Sequence, residues 1–104
     1  MSMSTIGVPL EGFGVYCRAA AAEGAVLLKN EGHMFPLKKE EMVSVFGRCQ
    51  FETYRSGTGS GGAVNVPYAV NIYDGMRESG SFTLNEELAD IYRAWLKDHP
   101  FDNG

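Results

Sequence analysis

The sequence lacks the features that mark membrane-spanning, secreted or nucleic-acid-binding proteins. No apolar run approaches the ~20 residues that cross a bilayer. The stretch after Met1 has neither the basic start nor the apolar core of a secretory signal. The nine lysines and arginines are scattered and the net charge is −4, so no basic surface for phosphate groups is expected. We therefore expect a soluble, cytoplasmic protein with no nucleic-acid and no membrane partner.

Cysteine and histidine are too sparse to predict a metal site. Cys17 and Cys49 show no metal-ligand spacing, and a disulfide between them is not expected in a cytosolic protein. His33 and His99 lie in turn-like segments without partners at metal spacing, which favours structural roles. The sequence therefore predicts neither a metal ion nor any other cofactor.

Helical and strand patterns alternate along the 104 residues, as is typical of an α/β fold. Small and apolar residues recur at helical steps over residues 13–24, and Met42–Gly47 has the composition of a short strand. A second helix is expected from near Pro67 to Gly80. Thr83 and Glu86 match a capping box, which predicts that a third helix begins there. Its apolar stripe comprises Leu84, Leu88, Ile91 and Trp95.

One clear strand cannot form a sheet alone, because its backbone groups would stay unpaired. We therefore expect a partial three-layer α/β sandwich, with helices packed on an incomplete, mostly parallel sheet. Residues 1–12 lack a hydrophobic period and are expected to form an N-terminal arm that precedes the α/β part, residues 13–104. More chain or another copy of this one must complete the sheet. Open sheet edges and apolar helix faces predict that the isolated chain forms a homodimer.

A glycine-rich stretch at residues 57–62 follows the predicted strand and has three interpretations. It matches the dinucleotide-binding pattern Gly-x-Gly-x-x-Gly. However, it begins ten positions after Gly47, and no lysine follows it, which argues against nucleotide binding. A plain surface connector is the second interpretation, because glycine and serine are common in connectors. The third is a ligand-facing loop at the carboxyl end of a strand, where open α/β sheets bind ligands.

The third interpretation suits a sugar, which presents many hydroxyl groups. Gly59 and Gly61 let the backbone approach a ligand closely, and Thr58 and Ser60 offer hydroxyls that donate and accept hydrogen bonds. Glu52 is the acid of this loop. It could face a sugar or accept backbone N–H groups and brace the loop, and bracing is favoured because loop carboxylates commonly do this.

Several blocks of the sequence resemble glycoside hydrolase family 3. Residues 20–32 and the following Phe35-Pro36-Leu37 are similar to the pattern that opens the family's second domain, with Phe35 where the family usually carries leucine. Val43–Gly47 resembles the family's next strand. The blocks that resemble one bacterial β-glucosidase branch in particular are Gln50–Thr53, Gly57–Gly61 and Val66–Tyr68. The resemblance spans residues 13 to about 97.

This resemblance implies a retaining enzyme that hydrolyses β-linked glucosides or oligosaccharides, built from a (β/α)8 barrel and an (α/β)6 sandwich. By this resemblance, residues 13–104 would be the first portion of the sandwich, in truncated form. The nucleophilic aspartate would lie in the barrel and the general-acid glutamate beyond residue 104, so no catalytic residue is expected here. Because the sandwich motifs lie so close to Met1, we expect that the sandwich precedes the barrel in the longer protein.

For the glycine-rich stretch, the resemblance implies that Ser60 contacts a sugar hydroxyl, with Thr58, Gly59 and Gly61 beside it. The alternative function is a non-catalytic association module that binds no sugar.

Overall fold

The computed structural model describes residues 8–54 and 66–101. They fall into two compact units that divide after Phe35. Three α-helices and a two-stranded parallel sheet make up the regular structure of these residues. This confirms the prediction of a partial α/β fold.

The first unit contains helix α1, Phe13–Gly24, with the bounds that the sequence predicts. The helix begins after Gly12, whose φ of 78° is accessible to glycine without strain. Beyond the helix, the side chain of Asn30 closes a turn. Its amide donates to the carbonyl of Phe35 at 2.8 Å and its oxygen accepts from the Phe35 N–H at 3.1 Å.

The sheet of the second unit pairs β1, Met42–Val43, with β2, Thr83–Leu84, in parallel. The Thr83 N–H donates to the carbonyl of Glu41 at 3.0 Å, and the Asn85 N–H donates to that of Val43 at 2.8 Å. The predicted strand to Gly47 is thus correct only for its first two residues. The strand pairing stops there because α3 begins almost directly after the partner strand, β2.

Helix α2, Ile72–Ser79, ends at Gly80 as predicted but begins later than predicted. Asn71 caps its start, because the side-chain oxygen accepts from the Asp74 N–H at 2.7 Å. Gly80 adopts a φ of 64°, the left-handed conformation that commonly ends helices. The prediction that Pro67 lies in the first turn is therefore wrong: a side-chain cap, and not the proline, sets the start.

Helix α3, Glu86–Asp98, is capped by Asn85, whose side chain accepts from the Leu88 N–H at 3.2 Å. The predicted capping box is therefore wrong. Thr83 lies in β2, where its backbone N–H is bonded across the sheet and its hydroxyl donates to the Lys39 carbonyl at 2.9 Å. Thr83 is thus a strand residue that pairs in the sheet, although the local sequence pattern predicted it to cap the helix.

The core of the second unit is small. Its buried apolar residues are Tyr73, Leu84 and Ala89, and the partly buried residues around them are Val43, Val45, Phe51, Met76 and Phe82. On α3, Ala89 is buried, whereas Ile91 is 61% and Trp95 45% exposed. Part of the predicted apolar stripe therefore faces outward. No helix of the described residues has the length and apolar character needed to cross a membrane.

Candidate functional site

The candidate site is the stretch that leads from β1 toward the glycine-rich residues. We call residues 47–54 the exit segment. It opens at Gly47, with φ 98° and ψ 145°, and continues in one 3₁₀ turn, Arg48–Gln50. A Cβ on Gly47 would meet nothing within 4 Å, so the backbone conformation, and not space, favours glycine here. Ligands of open α/β sheets bind at this end of a strand.

Two side chains hold the peptide groups of Gly47. Its N–H donates to the hydroxyl of Tyr92 on α3 at 2.9 Å. Its carbonyl accepts from Nε2 of Gln50 at 2.8 Å, and the same nitrogen donates to the carbonyl of Val45 at 2.9 Å. Gln50 is only 3% exposed. The start of the exit segment is therefore fixed from both sides by hydrogen bonds.

Arg48 links the exit segment to the end of α3. Its Nε donates to Oε2 of Glu52 at 2.9 Å, and its Nη2 donates to the carbonyl of His99 at 2.8 Å. The guanidinium also lies over the rings of Trp95 and Phe101, 5.4 and 5.9 Å from their centroids. A half-buried charge with these partners ties the 3₁₀ turn to the helix.

Glu52, the predicted loop brace, pairs with Arg48 and is one-third exposed. Its backbone N–H also donates to the carbonyl of Arg48, at 3.1 Å. The Glu52 carboxylate therefore stabilises the 3₁₀ turn by pairing with the side chain of Arg48. A role in bracing residues 55–65 stays a prediction, because those residues lie outside the described ranges.

Thr53 connects the exit segment to the start of α2. Its hydroxyl donates to the carbonyl of Cys49 at 2.7 Å and accepts from the backbone N–H of Ile72 at 3.0 Å. The ring of Phe51 packs against that of Tyr73, with centroids 4.9 Å apart. A cavity of about 180 Å³ opens at this junction, lined by Phe51, Glu52, Thr53, Ala69, Val70 and Asn71. The chain on both sides of residues 55–65 is thus brought together.

The predicted sugar-contacting residues, Thr58, Gly59, Ser60 and Gly61, lie outside the described ranges, and their assignment stays a prediction. Sequence reasoning missed the residues that hold the exit segment. For Arg48 and Glu52 a signal existed, because opposite charges at i,i+4 are typical of a helical turn. For Tyr92 no local pattern indicates a contact with Gly47, which lies 45 positions away. For Gln50 no local pattern indicates that its amide is buried.

Charged residues of α2 and α3 surround the ring of Tyr73. Arg77 donates to both carboxylate oxygens of Glu86, at 2.9 and 3.1 Å, and Arg93 lies 3.7 Å from the same carboxylate. Arg93 also lies over the rings of Phe51 and Tyr73, at 4.8 and 5.1 Å. The network therefore joins α2, α3 and the exit segment.

Two pKa values shift within this network. Burial raises the pKa of the Tyr73 hydroxyl, and the neighbouring Glu86 raises it further. Its Oη lies beside the ion pair but makes no hydrogen bond of standard geometry within the described residues. The Tyr73 hydroxyl, followed by the guanidinium groups of Arg77 and Arg93, lowers the pKa of Glu86. The carboxylate is thus held in its charged form.

A second concave surface lies along α3, beside Arg48 of the exit segment. This groove of about 410 Å³ is lined by Arg48, Leu88, Ile91, Tyr92 and Trp95. Its lining is mainly apolar, and the polar groups of Arg48 and Tyr92 already bond to the exit segment and His99. The groove is therefore a poor match for the many hydroxyls of a sugar.

Comparison with known proteins identifies the family of the chain. Residues 25–96 match the Glycosyl hydrolase family 3 C-terminal domain. The chain is 49% identical over 83 residues to a beta-glucosidase of Ruminococcus albus, covering 80% of the chain and 9% of that protein. It is 35% identical over 80 residues to beta-glucosidase A of Butyrivibrio fibrisolvens, covering 76% and 10%.

A solved structure of a beta-glucosidase from Paenibacillus barengoltzii is similar over the whole chain. The identity is 62% and the TM-score 0.85, with 100% of this chain and 11% of that protein covered. The chain thus spans only about a tenth of the length of these relatives. The resemblance noted in the sequence is confirmed, and the chain belongs to glycosyl hydrolase family 3, where it corresponds to part of the C-terminal domain.

Proposed function

We propose that this chain is the part of a family 3 β-glucosidase that presents the glycine-rich residues to a sugar. The proposal rests on relatives named beta-glucosidase and on one structural observation. The Thr53 hydroxyl bonds to the Ile72 N–H, which fixes the chain on both sides of residues 55–65 relative to each other. A short polar loop held at both sides loses less entropy when it binds a ligand than a free one does.

Within that loop, Ser60 is the proposed sugar contact. Gly59 and Gly61 carry no side chains, so the backbone can come close while one small hydroxyl donates and accepts. Thr58 has the proposed role of ordering the loop's own backbone. Glu52 is no candidate for the chemistry, because its carboxylate is bonded to Arg48.

Both catalytic carboxylates are proposed to lie in other parts of the longer enzyme. A retaining glycosidase needs two carboxyl groups about 5–5.5 Å apart across the scissile bond. This chain then contributes substrate contacts and no group that donates a proton or attacks the sugar. Its partner is a β-glucoside or an oligosaccharide bound in the complete enzyme.

A chimera tests the proposal. The equivalent stretch of the Paenibacillus barengoltzii enzyme is replaced by this chain, since the two are similar over its whole length. We expect the chimera to hydrolyse an aryl β-glucoside. Ser60→Ala should lower kcat/KM by about two- to twelvefold, as expected for a neutral hydrogen bond of about 0.5–1.5 kcal/mol.

Thr58→Ala is the matched control, because it removes a hydroxyl two positions away in the same loop. It should change kcat/KM less than Ser60→Ala does. An active chimera in which Ser60→Ala is silent would contradict the proposed contact. Silence at Ser60 with a loss at Thr58 would show that the wrong hydroxyl was assigned.

The alternative, an association module without sugar binding, draws on the exposed apolar groups of α3. Ile91 and Trp95 are 61% and 45% exposed and line the groove. Exposed apolar surfaces of this kind often mark sites of protein association. Under this alternative, Ile91→Asp would abolish association and Ser60→Ala would leave every measured property unchanged.

A further inference from the structure

We infer that Tyr92 and Gln50 are positioning residues for sugar binding, because they hold the Gly47 peptide from which the chain runs toward the glycine-rich residues. The inference rests on the proposed function, in which those residues face the sugar. Neither side chain touches the sugar in this assignment. Both act through the backbone of the exit segment.

The backbone conformation of Gly47 is not fixed by a side chain of its own. Glycine populates many backbone conformations, so its φ of 98° and ψ of 145° must be set by neighbouring groups. The Tyr92 hydroxyl accepts its N–H at 2.9 Å and the Gln50 amide donates to its carbonyl at 2.8 Å. A change at either bond therefore loosens the Gly47 peptide, at which the exit segment begins.

The amide of Gln50 has one orientation only. Its Nε2 donates to the carbonyls of Val45 and Gly47, and a flipped amide would place Oε1 against both carbonyl oxygens. Oε1 is buried and has no hydrogen-bond partner among the described residues. A buried acceptor without a partner costs free energy, so an apolar side chain would serve packing better. The amide of Gln50 therefore acts in this fold through its donor, Nε2, and not through its acceptor.

Tyr92 supplies a fixed point on a rigid element. It lies in the middle of α3, a 13-residue helix, and 45 positions from Gly47 in sequence. The bond from Arg48 to the His99 carbonyl attaches the next residue of the exit segment to the end of the same helix. The helix thus acts as the support against which the exit segment is aligned.

The bond itself is tested in the 104-residue chain. Tyr92→Phe keeps the ring in the groove and removes only the hydroxyl. Amide hydrogen exchange should become faster at Gly47, by about two- to tenfold for the loss of one neutral hydrogen bond. Tyr16→Phe, the same change at an exposed position of α1, should leave the Gly47 rate unaltered. An unchanged rate at Gly47 in Tyr92→Phe would overturn the inference.

The functional consequence is tested in the chimera by a double-mutant cycle. Tyr92→Phe should lower kcat/KM by about two- to tenfold at unchanged folded fraction. Combined with Ser60→Ala, the loss should be smaller than the product of the two single losses, because a displaced loop has already weakened the Ser60 contact. Gln50→Met, which removes the amide at similar length, should behave in the same way.

The outcomes separate the two proposals. A silent Ser60→Ala contradicts the proposed function, and the inference then fails with it. If Ser60→Ala lowers kcat/KM while Tyr92→Phe and Gln50→Met match Tyr16→Phe, only the inference fails. Losses that multiply in the double variants would also overturn it, since independent sites add in free energy.

Discussion

The Thr53 hydroxyl accepts a hydrogen bond from the Ile72 N–H at 3.0 Å and donates to the Cys49 carbonyl at 2.7 Å. It thereby joins residues 19 positions apart and satisfies an N–H in the first turn of α2 that has no partner within the helix. One small side chain thus stabilises a helix start and holds the chain on either side of the glycine-rich residues.

Thr53→Val should lower the free energy of unfolding by about 1–3 kcal/mol, because valine has a similar shape but loses both hydrogen bonds, each worth about 0.5–1.5 kcal/mol. Urea unfolding followed by far-UV circular dichroism gives the value. Thr53→Ser is the matched control, since it keeps the hydroxyl, and it should lose less. A larger loss for the serine variant than for the valine variant would show that packing of the methyl group, and not the hydroxyl, is responsible.

Asn85→Ala should destabilise the chain by about 1 kcal/mol, because the Asn85 side chain caps α3 by accepting the Leu88 N–H. Asn85→Asp retains the accepting oxygen and should cost less. The sequence pattern assigned the cap to Thr83 instead. Because valine is favourable in a strand, Thr83→Val should lower the free energy of unfolding less than Asn85→Ala does. A larger loss at Thr83 than at Asn85 in denaturant unfolding would contradict the observed cap.

Acidification should weaken the fold through Glu86. The Tyr73 hydroxyl, then Arg77 and Arg93, lower its pKa below the ordinary 4.5, so the folded chain binds this proton less readily than the unfolded chain. The resulting stabilisation is complete above pH 4.5 and is lost as the pH falls through the lowered value. Glu86→Gln should therefore show a shallower decline of stability in acid than the parent chain.

The control for this pH dependence is Glu87→Gln, one position further along α3. The described residues form no ion pair with Glu87, so Glu87→Gln should change the acid decline less than Glu86→Gln does. The measurement is the urea midpoint as a function of pH. Equal slopes for the parent and Glu86→Gln would contradict the role of this carboxylate.

The purified 104-residue chain should hydrolyse no aryl β-glucoside above background. The resemblance places both catalytic carboxylates elsewhere, and one general acid or base alone typically supplies about 10²–10⁴-fold of the rate. Steady-state assays across increasing protein concentration provide the check. Saturable, heat-labile turnover that co-purifies with the chain would contradict this expectation.

The isolated chain should self-associate, most simply as a two-fold dimer. Among the described residues the sheet has only two strands, and apolar side chains such as Ile91 and Trp95 are exposed. Light scattering should report a mass above the 11.4 kDa of one chain, and Ile91→Asp should reduce it. A monomer at all accessible concentrations would contradict this prediction.

The sequence by itself determined the features that depend on near neighbours. The composition and hydrophobic period of residues 13–24 predicted α1, and Gly80 predicted the end of α2, because helix propensity and left-handed glycine are local properties. The motif blocks also determined the family, since they identify a specific relationship independent of any contact.

Only the tertiary structure decided which residues hold the candidate site. Thr83 became a strand residue because the backbone of Glu41 offered its N–H a partner across the sheet. The Tyr92–Gly47 bond likewise joins groups 45 positions apart, and no local pattern contains it. Such contacts depend on where the folded chain brings distant backbone groups, and each group bonds to whichever partner then satisfies it.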